Sequence, residues 1–212
     1  MTTVVADRQG PSSTRAALPP TWGFGSGWTL FLDRDGVINR RIPGDYVRRW
    51  SEFEFLPGSL EALVTLSSAV DLIVVVTNQR GVALGRMSEA DVAEVHARMA
   101  GAVQQAGGRV DGVFVCPHGV SERCGCRKPA PGLVGQALMR WPSIDPARSV
   151  LVGDSTSDMA CARNASGPGP QIGRVWIGAE TSGPSSIASD AAFRSLADFS
   201  HAVSDRTAGV AP

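Results

Sequence analysis

Apolar residues along the chain fall in two alternating patterns. Five short runs are apolar almost without interruption: residues 29–32, 71–76, 113–115, 149–153 and 174–177. Residues 71–76, Asp-Leu-Ile-Val-Val-Val, form a β-branched run of the kind found in strands buried on both faces. Between the runs, apolar positions recur at helical spacing. Pro57-Gly58 opens a helix to about residue 68, proline being suited to a first turn. Ser88, with Asp91 three residues on, caps a helix ending near Gly107-Gly108. Residues 132–140 and 157–164 carry two shorter helices, and a last one covers 193–203. Residues 178–190, rich in Ser, Gly and Ala, read as loop, so the run at 174–177 closes the strand series. Strands alternating with helices predict an α/β fold, a Rossmann-like and mainly parallel sheet with helices on both faces.

Composition narrows this picture. The 212 residues, 43% hydrophobic and 19% charged, suit one compact domain with a sizeable core. Residues 28–203 are expected to form it. Residues 1–27, rich in Ser, Thr, Pro and Gly and lacking a signal peptide's apolar core, read as a disordered lead-in, and 204–212 as a flexible tail. Twenty basic residues balance twenty acidic ones, which argues against a nucleic-acid partner, and no apolar run approaches a membrane span. A cytoplasmic monomer acting on a small molecule is the expectation.

The candidate chemistry sits where the apolar runs end. The first ends in Asp33-Arg-Asp35-Gly. Residues two apart share one side of a strand, so both carboxylates project together at its carboxyl end, where open α/β sheets bind ligands. Such a pair repels unless a hard cation offsets it. One aspartate could then attack phosphorus while the other handles the leaving-group proton. An acidic turn is the alternative for the pair taken alone. Thr77-Asn78-Gln79 ends the second run with a hydroxyl and two amides suited to phosphate oxygens. Arg127-Lys128-Pro129 supplies a compact charge for a phosphoryl group and a guanidinium for a second anion. Asp154, ending the run at 149–153, is placed to share a metal with Asp33; Asp158 either joins it through water or caps the next helix. Cys116, His118, Cys124 and Cys126 crowd into one loop, three thiolates and an imidazole suited to a closed, structural zinc site. Cys161 reads as core, and His96 and His201 as helix surface.

Together these motifs resemble the haloacid dehalogenase-like (HAD-like) phosphatases. Within them the chain is similar to the zinc-loop branch that contains heptose 1,7-bisphosphate 7-phosphatases and histidinol phosphatases. Asp-Gly-Val-Ile-Asn39, Thr77-Asn-Gln-Arg-Gly81, Arg127-Lys-Pro-Ala-Pro-Gly132, Gly44-Asp-Tyr46-Val and Phe53-Glu-Phe-Leu-Pro-Gly58 look more like the heptose side. The resemblance implies a HAD-like domain with a small zinc loop and a minimal cap. It implies a magnesium-dependent phosphomonoester hydrolase in nucleotide-activated heptose biosynthesis, with histidinol-phosphate phosphatase or a non-catalytic zinc-loop binding protein as alternatives. Asp33 matches the nucleophile, Asp35 the general acid and base, and Thr77 and Lys128 the groups that stabilise the phosphoryl. Asp33, the Asp35 carbonyl and Asp154 match the Mg2+ ligands, and Cys116, His118, Cys124 and Cys126 the Zn2+ ligands. Asn78, Gln79, Arg80 and Arg127 fall where substrate is contacted. Three departures stand out: the zinc loop is shorter than in many heptose enzymes, Ser155 replaces a lysine often found after the metal aspartate, and the loop at 40–45 is slightly long.

Overall fold

The computed structural model describes residues 17–166, 168–178 and 189–209. In chain order the elements are β1 (Gly25–Leu32), α1 (Ser59–Ala69), β2 (Val70–Asn78), α2 (Glu89–Gln105), β3 (Gly112–Cys116), α3 (Gly132–Arg140), β4 (Ser149–Gly153), α4 (Thr156–Ser166), β5 (Gly173–Ile177), β6 (Ala191–Phe193) and α5 (Leu196–Ala208). The strands make one six-stranded sheet, ordered β3-β2-β1-β4-β5-β6 and parallel throughout.

Alternation along the central strands divides the core in two. Leu30, Leu32, Ile73, Val75, Val150 and Val152 face α1, α2 and α5, packing on Leu63, Met99 and Phe199. Phe31, Val74, Val76 and Leu151 face the other way, onto Leu133 and Ala137 of α3 and Met159 and Ala162 of α4. This explains the unbroken apolar runs: both faces of each central strand are covered. Ser88 caps α2 as expected, in a reciprocal capping box with Asp91.

The structure corrects four boundaries. Residues 17–27 are not a disordered lead-in: β1 begins at Gly25, and Leu18, Trp22 and Phe24 are buried in the first core. Their aromatic and aliphatic bulk, not the Ser/Pro content around them, decides the outcome. The strand series does not close at Ile177, because β6 pairs Ala191–Phe193 with β5, and the last helix starts later, at Leu196. A three-residue strand is too short to announce itself by periodicity. That helix runs to Ala208, so residues 204–208 are helical rather than a flexible tail. Residues 1–16 and 210–212, and most of the loop expected at 178–190, lie outside the described residues. Among the described residues, no helix is long and apolar enough to cross a membrane.

The sheet order changes direction at β1, which has β2 on one side and β4 on the other. Beyond β1 the chain turns tightly, with the Gly36 amide donating to the Asn39 carbonyl at 2.7 Å. It then forms a strap across the cleft and returns through Glu54, whose carbonyl accepts from the Arg40 amide at 2.8 Å. Tyr46 of the strap lies against Gly81, where a Cβ would sit 2.9 Å from its ring, and Arg86 pairs with Asp45 at 3.1 Å.

Candidate active site

The carboxyl ends of β1, β2 and β4 meet at the switch in strand order, the position at which doubly wound sheets bind ligands. The Asp33 amide donates to the Val152 carbonyl at 2.9 Å, which locks the end of β1 to β4. Asp33 then points at Lys128, with Oδ1 2.8 Å from Nζ. Lys128 is itself buried, donates to the Val76 carbonyl at 2.9 Å, and pairs with Asp158 at 2.6 Å. Burial disfavours the ammonium, but the charges of Asp33 and Asp158 outweigh it and raise the lysine's pKa. Asn78 holds this loop by a double hydrogen bond: its Nδ2 donates to the Lys128 carbonyl at 3.1 Å and its Oδ1 accepts from the Lys128 amide at 3.0 Å.

Asp33, Asp154 and Asp158 each offer an oxygen within 4.8 Å of the others. Burial pushes Asp33 up to about 6, with Lys128 opposing and Asp158 adding to the rise. Burial likewise pushes Asp154 up to about 7 against the pull of Arg41. Buried carboxylates that resist ionisation at this spacing are a donor set for a hard, oxygen-seeking divalent cation, whose charge would reverse both shifts. Two glycines make the approach possible. A Cβ on Gly36, where φ is +92°, would lie 1.9 Å from Asp154 Oδ2, and one on Gly153 would lie 2.3 Å from Asp158. Asp158 also accepts from the Ser155 amide at 3.1 Å, so it caps the start of α4 while serving Lys128.

Asp35 is held differently. Arg34 grips both its oxygens at 2.9 Å, and Asn39 and Gln79 each donate at 2.9 Å. Burial opposes ionisation, but the Arg34 charge and these three donors outweigh it and hold the carboxyl below its ordinary range. Arg34 is fully buried, and its Nη1 donates to His96 Nε2 at 2.9 Å. His96 is therefore not helix surface: burial first, and Arg34 second, pull it down to about 3. The signal was available, since Val92, Val95, His96, Met99 and Val103 form one buried stripe of α2.

A cleft of about 490 Å³ opens over these groups, lined by Asp33, Asp35, Thr77, Asn78, Arg80, Arg127 and Lys128 among others. Gln79 departs from the expected substrate contact. It is fully buried and spends its amide on Asp35 and, at 2.9 Å, on the Thr77 hydroxyl, so it orients those groups from beneath. Arg41, which the motifs did not single out, lines the cleft and reaches Asp154.

Beside the cleft, the sulfur and nitrogen atoms of Cys116, His118, Cys124 and Cys126 lie within 4.8 Å of one another. Four of these separations run from 3.2 to 3.6 Å. Such distances approach the edges of a tetrahedron with about 2.3 Å metal–sulfur bonds, so the set is compatible with a zinc loop.

A HAD-hydrolase-like family profile matches residues 125–168. The D-glycero-alpha-D-manno-heptose-1,7-bisphosphate 7-phosphatase of Mycobacterium bovis is 49% identical over 179 residues, covering 84% of this chain and 93% of the relative. The chain belongs to this family of HAD-like phosphatases. The beta-anomer 7-phosphatase of Bordetella bronchiseptica is 39% identical over 152 residues, covering 72% of this chain and 83% of that one. The solved D,D-heptose 1,7-bisphosphate phosphatase from B. bronchiseptica, complexed with magnesium and phosphate, superposes with a TM-score of 0.71 at 32% identity, covering 82% and 96% of the two chains. A putative HAD-like phosphatase from Mesorhizobium loti gives 0.68 at 30% identity, covering 90% of each. Membership accounts for the all-parallel sheet and for an enzyme of the phosphatase class.

Proposed function

We propose that this phosphatase removes the 7-phosphate of D-glycero-D-manno-heptose 1,7-bisphosphate, with preference for the alpha anomer, on a route to nucleotide-activated heptose. One observation carries the reading. Asp33 with its Lys128 partner shares a cleft with three further cations, Arg41, Arg80 and Arg127. One anion can be attacked while a second is held. The alpha preference follows the naming of the relative at 49% identity, against the beta naming of the relative at 39%.

Magnesium, bound by Asp33, the Asp35 carbonyl and Asp154, would neutralise the phosphoryl oxygens. Asp33 attacks phosphorus, forming an aspartyl-phosphate as the bond to the sugar oxygen breaks. Asp35 gives that oxygen a proton, then takes one from the water that cleaves the acyl-phosphate. To donate, Asp35 must carry a proton that its pairing with Arg34 disfavours. Thr77 and Lys128 hold the transferring oxygens, and positioning with charge neutralisation supplies most of the rate. Zinc at Cys116, His118, Cys124 and Cys126 would be structural. Four free thiols suit a reducing, cytoplasmic setting, and the protein is read as a monomer.

The test is initial-rate kinetics on both heptose bisphosphate anomers and histidinol phosphate, with wild type and Asp33→Asn. The alpha bisphosphate should give the highest kcat/KM. Asp33→Asn should lose at least ~10³-fold in turnover with unchanged circular dichroism. Preference for histidinol phosphate would overturn the substrate, and substantial Asp33→Asn activity the mechanism. Release of phosphate from none of them would favour a binding role.

A further inference from the structure

We propose that Arg41 is a tethered cation that competes with magnesium for its site and, once displaced, binds the substrate's second phosphate. The proposal rests on the magnesium reading above. Arg41 Nη2 lies 2.8 Å from Asp154 Oδ1 and 3.2 Å from the Asp35 carbonyl oxygen. These are two of the three groups assigned to the metal. A guanidinium and a divalent ion cannot share the same lone pairs, so one must leave for the other to bind. An ion pair to Asp154 alone could arise from simple charge attraction. Reaching the neutral carbonyl of Asp35 with the same nitrogen places the positive charge between the two groups a metal would bridge.

The surroundings favour exchange by side-chain rotation alone. The neighbouring Arg40 is fixed to Glu54 by two hydrogen bonds of 2.9 and 3.0 Å, which anchors the strap on one side of Arg41. Asp45 and Tyr46 anchor it on the other, through Arg86 and Gly81. The Arg41 side chain itself is 53% exposed and lines the cleft together with Arg80 and Arg127. Released from Asp154, it stays over a cleft that already carries two arginines, where it can meet an anion distant from Asp33.

The energetic consequence is coupling. Magnesium must displace Arg41, which weakens its binding to the free enzyme. A bisphosphate gives Arg41 another partner and removes that penalty, so metal and bisphosphate strengthen each other's binding reciprocally. A sugar bearing only the scissile phosphate offers Arg41 no such partner. Arg41 thereby favours bisphosphates over monophosphates.

Calorimetric titration of the full-length protein with magnesium chloride, with no substrate present, tests the competition. Arg41→Gln should bind magnesium about three- to tenfold more tightly than wild type, because the competing state is gone. Arg127→Gln removes a cleft charge that touches neither Asp154 nor the Asp35 carbonyl and should change magnesium affinity less than about twofold. A parallel measurement compares KM for the heptose 1,7-bisphosphate and heptose 7-phosphate. Arg41→Gln should raise the first by about tenfold and leave the second nearly unchanged. Equal gains in Arg41→Gln and Arg127→Gln would reduce the effect to the general field of the cleft and overturn the proposal. Equal magnesium affinity in wild type and Arg41→Gln would overturn it too, while leaving the metal site standing. An equal rise in KM for both substrates would overturn the second-phosphate role. Magnesium binding to neither protein would overturn the metal site itself, and this proposal with it.

Discussion

Gly36 shows how much of this site depends on single residues. Its φ of +92° disfavours any side chain, and a Cβ there would collide with Asp154 Oδ2. Gly36→Ala should therefore cost about 1–2 kcal/mol of stability through backbone strain alone. It should also lower kcat/KM by about 10- to 100-fold, because Asp154 must move from its partners. Melting curves and kinetics at saturating magnesium check the two effects separately. At this scale the sequence singled out Asp33, Asp35, Thr77 and Asp154 because each follows an apolar run, and Lys128 because its basic pair abuts the cysteine loop. Arg34, His96 and Arg41 stayed hidden for a different reason. His96 meets Arg34 across 62 residues and Arg41 meets Asp154 across 113, and no local pattern encodes such pairings.

At the scale of elements, α2 and the cysteine loop each tie a distant segment to the reacting groups. His96 carries α2 onto Arg34, and with Nε2 accepting from Arg34 the ring must be neutral. Its pKa is pulled from 6.5 to about 3 in the fold, so below about pH 6.5 the unfolded chain takes up a proton that the folded chain refuses. Stability from this group is fully present above that pH and declines as pH falls towards 3. Between pH 7 and 5.5 the loss should be about 1 kcal/mol. His96→Gln, whose amide oxygen can still accept from Arg34, should show a smaller drop in melting temperature over that interval. Denaturation at the two pH values makes the comparison. For the cysteine loop, Cys126→Ser should lower bound zinc, measured by elemental analysis, and reduce turnover as well, since Lys128 follows two residues later. Full turnover without zinc would separate the loop from the lysine. The sequence predicted both elements but took His96, on the buried stripe of α2, for helix surface.

Over the whole molecule, the parallel sheet was legible because both faces of its central strands are covered, leaving the runs without polar interruptions. Its edges were less legible. β6 has three residues, and the entry to β1 is built from aromatics scattered among glycines and prolines. Trp22 lies 8% exposed against Gly173 of β5, where a Cβ would come within 2.3 Å of its ring. Trp22→Ala should cost about 3–5 kcal/mol. The melting temperature should fall by roughly 10 °C, while kcat/KM at 25 °C stays close to wild type because the cleft lies at the opposite end of the sheet. Scanning calorimetry and assays on one preparation decide both. The cysteine loop also sets where the chain can change length. Residues 120–123 are exposed and lie between ligand positions, so inserted residues can loop outwards there and leave the four donors in place. The segment from Cys126 to Lys128 has no such slack. One residue added there would turn Lys128 away from Asp33, so length variation among relatives should accumulate in the first stretch and be absent from the second.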